Sequence, residues 1–230
     1  IETGGIILVR EGAFSVPALG TGFRDFLMDV SLAPDSILIQ RARLADERSE
    51  NDTAVVEGAV YRSADGWRAD LRTMARNLRV IDDPRTAEAD VSWQLRMQGP
   101  IDSLALAGDI TVPQANFFIG RQRRRALVLA EDLAAEEAAS QFSPRLEGVR
   151  LRLGNEVRLR SPEANVQLTG EVAAAGTLDA PDVRGEIQAT RGTFRLDLGL
   201  LQRTFQVDSG RVRLNGPLSV PPTMDIQASY

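Results

Sequence analysis

The sequence predicts an all-β fold whose strands carry one aliphatic face and one solvated face. Three observations lead there. Apolar and polar residues alternate over most of the 230 residues, the period of a half-buried strand. Turn-forming clusters interrupt that alternation roughly every ten positions. One turn-plus-strand pattern also occurs more than once, the mark of a repeated structural unit.

The elements can be justified in chain order. GIILVREGAF (5–14) opens as a strand. FLMDVSL places Phe26, Met28, Val30 and Leu32 on one face and ends at the turn signal Pro34-Asp35-Ser36. ADERSENDTA (45–54) reads as a polar loop. In WRADLRTMARNLRVID (67–82), Leu71, Met74, Ala75 and Leu78 stand at helical spacing. The position of this stretch between two strand-like segments favours a strand. Asp82-Asp83-Pro84 sets two carboxylates side by side, as a Ca²⁺ site or a glycosidase pair would require. Adjacent residues of an extended chain point to opposite faces, so a solvated turn is the expectation.

SWQLRM gives Trp93, Leu95 and Met97 in parity with Val91, closed by Gly99-Pro100. The stretch 121–142 breaks the pattern: RQRRR followed by ALVLAEDLAAEEAASQF, rich in alanine and glutamate. It is expected to be an insertion, a mobile loop or short helix, with Arg121–Arg125 solvated or set against anionic headgroups. RLRLGNEVRLR then aligns Leu151, Leu153, Val157 and Leu159, with arginines opposite. ANVQLTGEVAAAG aligns Ala164, Val166, Leu168 and Val172, and FQVDSGRVRL gives Phe205 and Val207, then Val212 and Leu214. Gly154-Asn155, Ala180-Pro181-Asp182, Asp208-Ser209-Gly210 and Asn215-Gly216-Pro217 read as turns between strands.

The repeat is clearest in residues 99–117, GPIDSLALAGDITVPQANF, and 176–194, GTLDAPDVRGEIQATRGTF. The two copies share Gly99 with Gly176, Asp102 with Asp179, Gly108 with Gly185, Ile110 with Ile187 and Phe117 with Phe194. A partial third copy carries Gly5, Ile7 and Phe14 at the same offsets. Gly108, Gly185, Gly192 and Gly210 are expected at bulges or turns rather than in phosphate cradles, because no helix start follows them.

Composition narrows the function. Hydrophobic content of 43% with 26% charge is that of a globular chain. A net charge of −5 argues against a nucleic-acid partner, which needs cationic surface. All 27 basic residues are arginine. Cysteine and histidine are absent, which removes disulfides, thiolate nucleophiles, the commonest general base and the commonest transition-metal ligand. No catalytic residue, cofactor or metal site is expected. No apolar run reaches the length of a spanning helix. The chain starts at Ile1 and ends within an alternating stretch, so it is expected to be a fragment of a longer protein, with 1–230 forming one elongated β domain. Aromatics are only 5% of the residues, few for the large anchors of a sandwich, although an ordinary sandwich or β-helix core stays open on patterning alone.

A resemblance enters at the C-terminal third. G-T-x-x-x-P-x-x-x-G-x-I at Gly176–Ile187, R-G-T-F at Arg191–Phe194, F-x-V-x-x-G-x-V-x-L-x-G at Phe205–Gly216 and P-x-x-D-I-x-A at Pro222–Ala228 together resemble the conserved C-terminal domain of the TamB family. NLRVIDDP and VSWQLRMQGPIDSLALAGDITVPQANFFI are similar to repeats of the wider AsmA-like group. The likeness is weak over residues 40–70 and lost over 121–142. It implies a U-shaped sheet (a β-taco) open along one side, a periplasmic location, an inner-membrane anchor outside this fragment, and an outer-membrane TamA-like barrel as partner. The implied role is a non-enzymatic conduit carrying phospholipid acyl chains between the two membranes. On that reading Ile110, Val112, Phe117, Leu151, Leu153, Leu159, Val166, Leu168, Ile187, Phe194, Val207, Val212 and Leu214 line the groove, with strands of about six to eight residues across it. The alternative is an assembly factor whose strand edges pair with nascent outer-membrane β-barrels and autotransporters. A carbohydrate-active β-helix enzyme ranks last, because no carboxylates stack at period two.

Overall fold

The computed structural model describes residues 4–119, 144–197 and 202–229. Among these, twelve strands follow one another both in the chain and in space. They are β1 (Gly5–Val16), β2 (Thr21–Ala33), β3 (Ser36–Asp46), β4 (Ser49–Ser63), β5 (Gly66–Asp83), β6 (Ala87–Pro100), β7 (Ala105–Phe118), β8 (Arg145–Arg160), β9 (Ala164–Thr177), β10 (Pro181–Asp197), β11 (Gln202–Pro217) and β12 (Thr223–Ser229). Short 3-10 turns at Pro17–Leu19 and Ile101–Ser103 complete the described elements. Every neighbouring pair is antiparallel except β7 and β8, which run parallel from Ala105–Arg145 to Phe118–Arg160. The chain therefore leaves β7 at one rim of the sheet and enters β8 at the other. The expected insertion at 121–142, with Arg121–Arg125, lies outside the described residues.

The sheet is curved and open, and it does not close into a barrel. Bulges supply the bend. A bulge inserts one residue into a ladder, kinks the strand and increases its twist. Register slips occur mid-strand between Ile39 and Ala42, Ala75 and Leu78, Val112 and Gln114, Ala189 and Arg191, and Val207 and Ser209, among others. Most strands are consequently much longer than the sequence suggested. β5 has 18 residues, about 60 Å of extended chain, with slips between Ala75 and Leu78 and between Arg79 and Ile81 along its course.

Two of the expected turns are bulges inside single strands. Gly154-Asn155 interrupts nothing: β8 runs through it, and the slip between Leu153 and Val157 absorbs the extra residues. Asp208-Ser209-Gly210 is likewise internal to β11. The expected polar loop at 45–54 is mostly strand, with only Glu47 and Arg48 in the turn joining β3 to β4. Residues 67–82 are strand throughout, as their neighbours suggested. Gly185 is neither bulge nor turn. It sits in register between Val172 and Leu214 with φ +148°, and a Cβ there would collide with the Glu171 carbonyl. Only glycine allows the adjacent backbone to approach so closely. Gly108 repeats the arrangement with φ +134° against Gln94.

No second layer covers the sheet among the described residues, yet a core exists. Ala89, Val112, Ala115 and Val157 are buried together, with Val80, Ile81, Val91, Phe117, Leu151, Leu153 and Leu168 packed against them. A single sheet buries a side chain this far only where same-face neighbours converge, which happens on the inside of a bend. The aliphatic face is thus the inner one.

Candidate functional site

Cross-strand pairing joins the apolar residues into rows that run across the strands. One row passes through Ile7, Val30, Ile39, Gly58, Leu71, Met97, Leu106, Leu146, Gly176 and Pro181, crossing ten strands without leaving the face. The thirteen residues expected to line the groove fall on neighbouring rows of this same face. Ile110, Leu151 and Leu214 share a row with Trp93, Val172 and Gly185. Val112, Leu153, Ile187 and Val212 share the next, through Gly170, and it ends at Met224. Leu168 lies between Val157 and Ala189, on a row that ends at Ile226. Phe117, Leu159, Val166 and Val207 form a fourth row through Gly192, and Phe194 pairs with Phe205 at the rim.

The repeat explains part of this alignment. Ile110 and Phe117 are an odd number of positions apart, as are Ile187 and Phe194, and odd spacing normally places two strand residues on opposite faces. The slips between Val112 and Gln114 and between Ala189 and Arg191 restore the parity. Each repeat is therefore a glycine, an inward isoleucine, a bulge and an inward phenylalanine. Sequence reasoning missed the first half of the face, Ile7 to Leu106, although the alternation of Phe26 to Leu32 pointed to it. It also missed the buried alanines Ala45, Ala54, Ala69, Ala87, Ala89 and Ala115, because alanine carries no periodic signal of its own.

The opposite face is ionic. Arg96 meets Asp70 at 2.7 Å, Arg150 meets Asp109 at 2.8 Å, and Arg152 meets Glu171 at 3.1 Å, each across a strand pair. Glu186 sits between Arg211 and Arg213, 3.0 Å from each. The Arg96 guanidinium holds the Asp70 carboxyl below its usual range, and Gln188 with Arg213 does the same for Glu186. These pairs are solvated, and such pairs contribute little stability. They keep this face wet and leave the aliphatic face as the one that water avoids.

A buried charge cluster closes a gap near the start of the sheet. β4 pairs with β5 only as far as Thr53 and Arg76, so the last residues of β5 have no β4 partner. Asp46, 2% exposed, fills the place. Its carboxylate accepts hydrogen bonds from the Arg79 backbone N–H at 3.0 Å, the Arg48 backbone N–H at 2.8 Å and the Arg48 guanidinium at 2.9 Å. Arg79 in turn donates to Asp90 and to Asp82, at 2.5 and 2.8 Å. Burial pushes the Asp46 carboxyl up, but these donors outweigh it and hold it below the usual aspartate range. Asp83 accepts instead from Arg85 and Thr86. The two adjacent carboxylates thus serve separate partners around a turn, and no group of three or more metal-ligating side chains occurs among the described residues.

Comparison with known proteins gives one match. A family model described as the TamB C-terminal domain matches residues 40–230. No curated protein and no solved structure matches the chain. No described helix is long and apolar enough to cross a membrane.

Proposed function

The chain belongs to the TamB C-terminal domain family, and from that premise we propose that its aliphatic face is a conduit for phospholipid acyl chains. Members of this family act in the translocation and assembly module or in envelope transport, and it is not a known enzyme family. The single observation that carries the finer reading is the row from Ile7 on β1 to Pro181 on β10, apolar at every side chain and interrupted only by Gly58 and Gly176, on the inner face of an open sheet. Eleven strand spacings at about 4.8 Å give a trough roughly 50 Å long.

Exposing an acyl chain to water opposes transfer by about 0.8 kcal/mol per CH₂, on the order of 10 kcal/mol for a long tail. A continuous aliphatic surface removes most of that barrier while a headgroup stays wet at the open side. Such a surface has few polar anchors and lets a tail slide without selecting it. Ile110, Val112, Phe117, Leu151, Leu153, Leu159, Val166, Leu168, Ile187, Phe194, Val207, Val212 and Leu214 are the lipid-facing residues in this reading. The conduit runs through the periplasm between an inner-membrane anchor beyond this sequence and a TamA-like outer-membrane barrel, with residues 1–230 as one elongated segment.

Replacing Ile187 with aspartate tests the reading. The variant should remain folded and stop phospholipid transfer between donor and acceptor vesicles. Transfer at the unaltered rate would refute the trough. A second reading, strand-edge assembly of outer-membrane barrels, draws on β12: all seven of its residues are exposed, and among the described residues it pairs with β11 alone, the geometry of β-augmentation.

A further inference from the structure

A group of arginines on the ionic face lacks carboxylate partners. Arg158, Arg160, Arg191 and Arg195 belong to β8 and β10 near one rim, and none has a carboxylate within ion-pair distance among the described residues, whereas Arg96, Arg150, Arg152, Arg211 and Arg213 all do. The register shows why. Gln167 stands between Arg158 and Arg191 on their cross-strand row, at the β9 position that Glu171 holds on the row of Arg152, Glu186 and Arg213. On the next row Arg160 is followed by Asn165, Thr193 and Gln206. Neutral hydrogen-bonding side chains have replaced the carboxylates.

These groups surround a depression. A cavity of about 370 Å³ is lined by Arg158, Asn165, Gln167, Arg191, Thr193 and Gln206, together with the backbone beneath them. No carboxylate lines it. Gln167 spends its amide N–H on the Asn155 carbonyl and is thereby fixed between the two guanidinium groups. Arg158 and Arg191 are two strands apart, about 10 Å at the backbone, a span that two long side chains close around one small anion. Arginine presents a planar fork of donors that matches phosphate oxygens in pairs, and Asn165, Thr193 and Gln206 add neutral donors at the margin.

We propose that Arg158 and Arg191, with Asn165, Thr193 and Gln206, form a binding site for a phosphate group on the ionic face at the β8–β11 rim. The site goes beyond the acyl-chain reading and does not depend on it. Its place at the rim, where Phe194 on the other face is 41% exposed, makes a phospholipid headgroup and a free phosphate compound the two sources to separate.

Arginine side-chain Nε–H resonances, followed by NMR in the purified chain, give the test. Glycerol 3-phosphate, which has a headgroup and no tail, should move the Arg158 and Arg191 signals saturably and leave those of Arg150 and Arg152 in place. The double variant R158Q/R191Q removes two exposed side chains and stays folded, and its affinity should fall about tenfold or more, the effect of losing charge-assisted hydrogen bonds. The source is then read from two further arms. Phosphatidylglycerol vesicles that bind wild type but not R158Q/R191Q assign the site to a headgroup, and an equal response to inorganic phosphate with no vesicle binding assigns it to a free phosphate. An Ile187→Asp chain should keep the glycerol 3-phosphate response, so failure of the trough and failure of this site are distinguishable. Shifts spread evenly over all the arginines, or affinity unchanged in R158Q/R191Q, would overturn the proposal.

Discussion

Two stretches of the aliphatic face differ sharply although one cross-strand row contains both. Val157 on β8 is fully buried, while Ile226 on β12, reached from it through Leu168, Ala189 and Gly210, is 57% exposed. The side chains are similarly apolar and point the same way. What differs is company: Val157 has neighbouring strands on both sides and the bend draws their side chains over it, whereas β12, which carries Ile226, pairs with β11 alone among the described residues. In a one-layer fold, burial is thus a property of position along the sheet. The central strands supply the stability, and the outer ones leave the same surface more exposed.

That contrast can be broken most forcefully by charge. Val157→Asp should destabilise the chain by several kcal/mol, since an unpaired carboxylate is forced into the core, and Ile226→Asp should change the urea midpoint little. Equal losses at both positions would mean that β12 is as well packed as β8. The next effect in size is at Asp46. Removing one partner of a buried ionic cluster destabilises by about 3 kcal/mol or more, so Asp46→Asn should lower the urea midpoint clearly at neutral pH.

Its pH dependence follows from the depressed carboxyl. Stability from Asp46 is fully present above the ordinary aspartate range and is lost as pH falls through the lower folded value. Below about pH 4, wild type should lose stability more steeply than Asp46→Asn, and parallel curves would show that the cluster does not titrate with unfolding. A smaller effect sharpens the comparison further. Val157→Ala should cost roughly 1–3 kcal/mol, and Ile226→Ala under about 0.5 kcal/mol, within the range of surface changes.

The legible parts of the molecule were those governed by period two. Leu151, Leu153, Val157 and Leu159 alternate strictly, and the structure keeps all four on one face. The switch of parity between Val207 and Val212 was also visible, but it reads as a turn because Asp208-Ser209-Gly210 has turn chemistry. Whether three such residues reverse a chain or bulge it depends on pairing with Ala189 and Gln227 on other strands, which local sequence does not encode. The same holds for ADERSENDTA: its polarity reflects the Asp46 cluster and a two-residue turn, not a loop. The unpaired arginines of the phosphate site escaped notice because Gln167 stands opposite them only once three strands are in register.

Photocrosslinking at adjacent residues tests the central claim most directly. Ile187 and Gln188 are neighbours on β10 with opposite orientations, as are Leu168 and Thr169 on β9. With a photoreactive side chain at each position in cells, the account predicts phospholipid adducts at Ile187 and Leu168 and none at Gln188 and Thr169. Adducts at all four positions alike, or at the two polar positions alone, would contradict it.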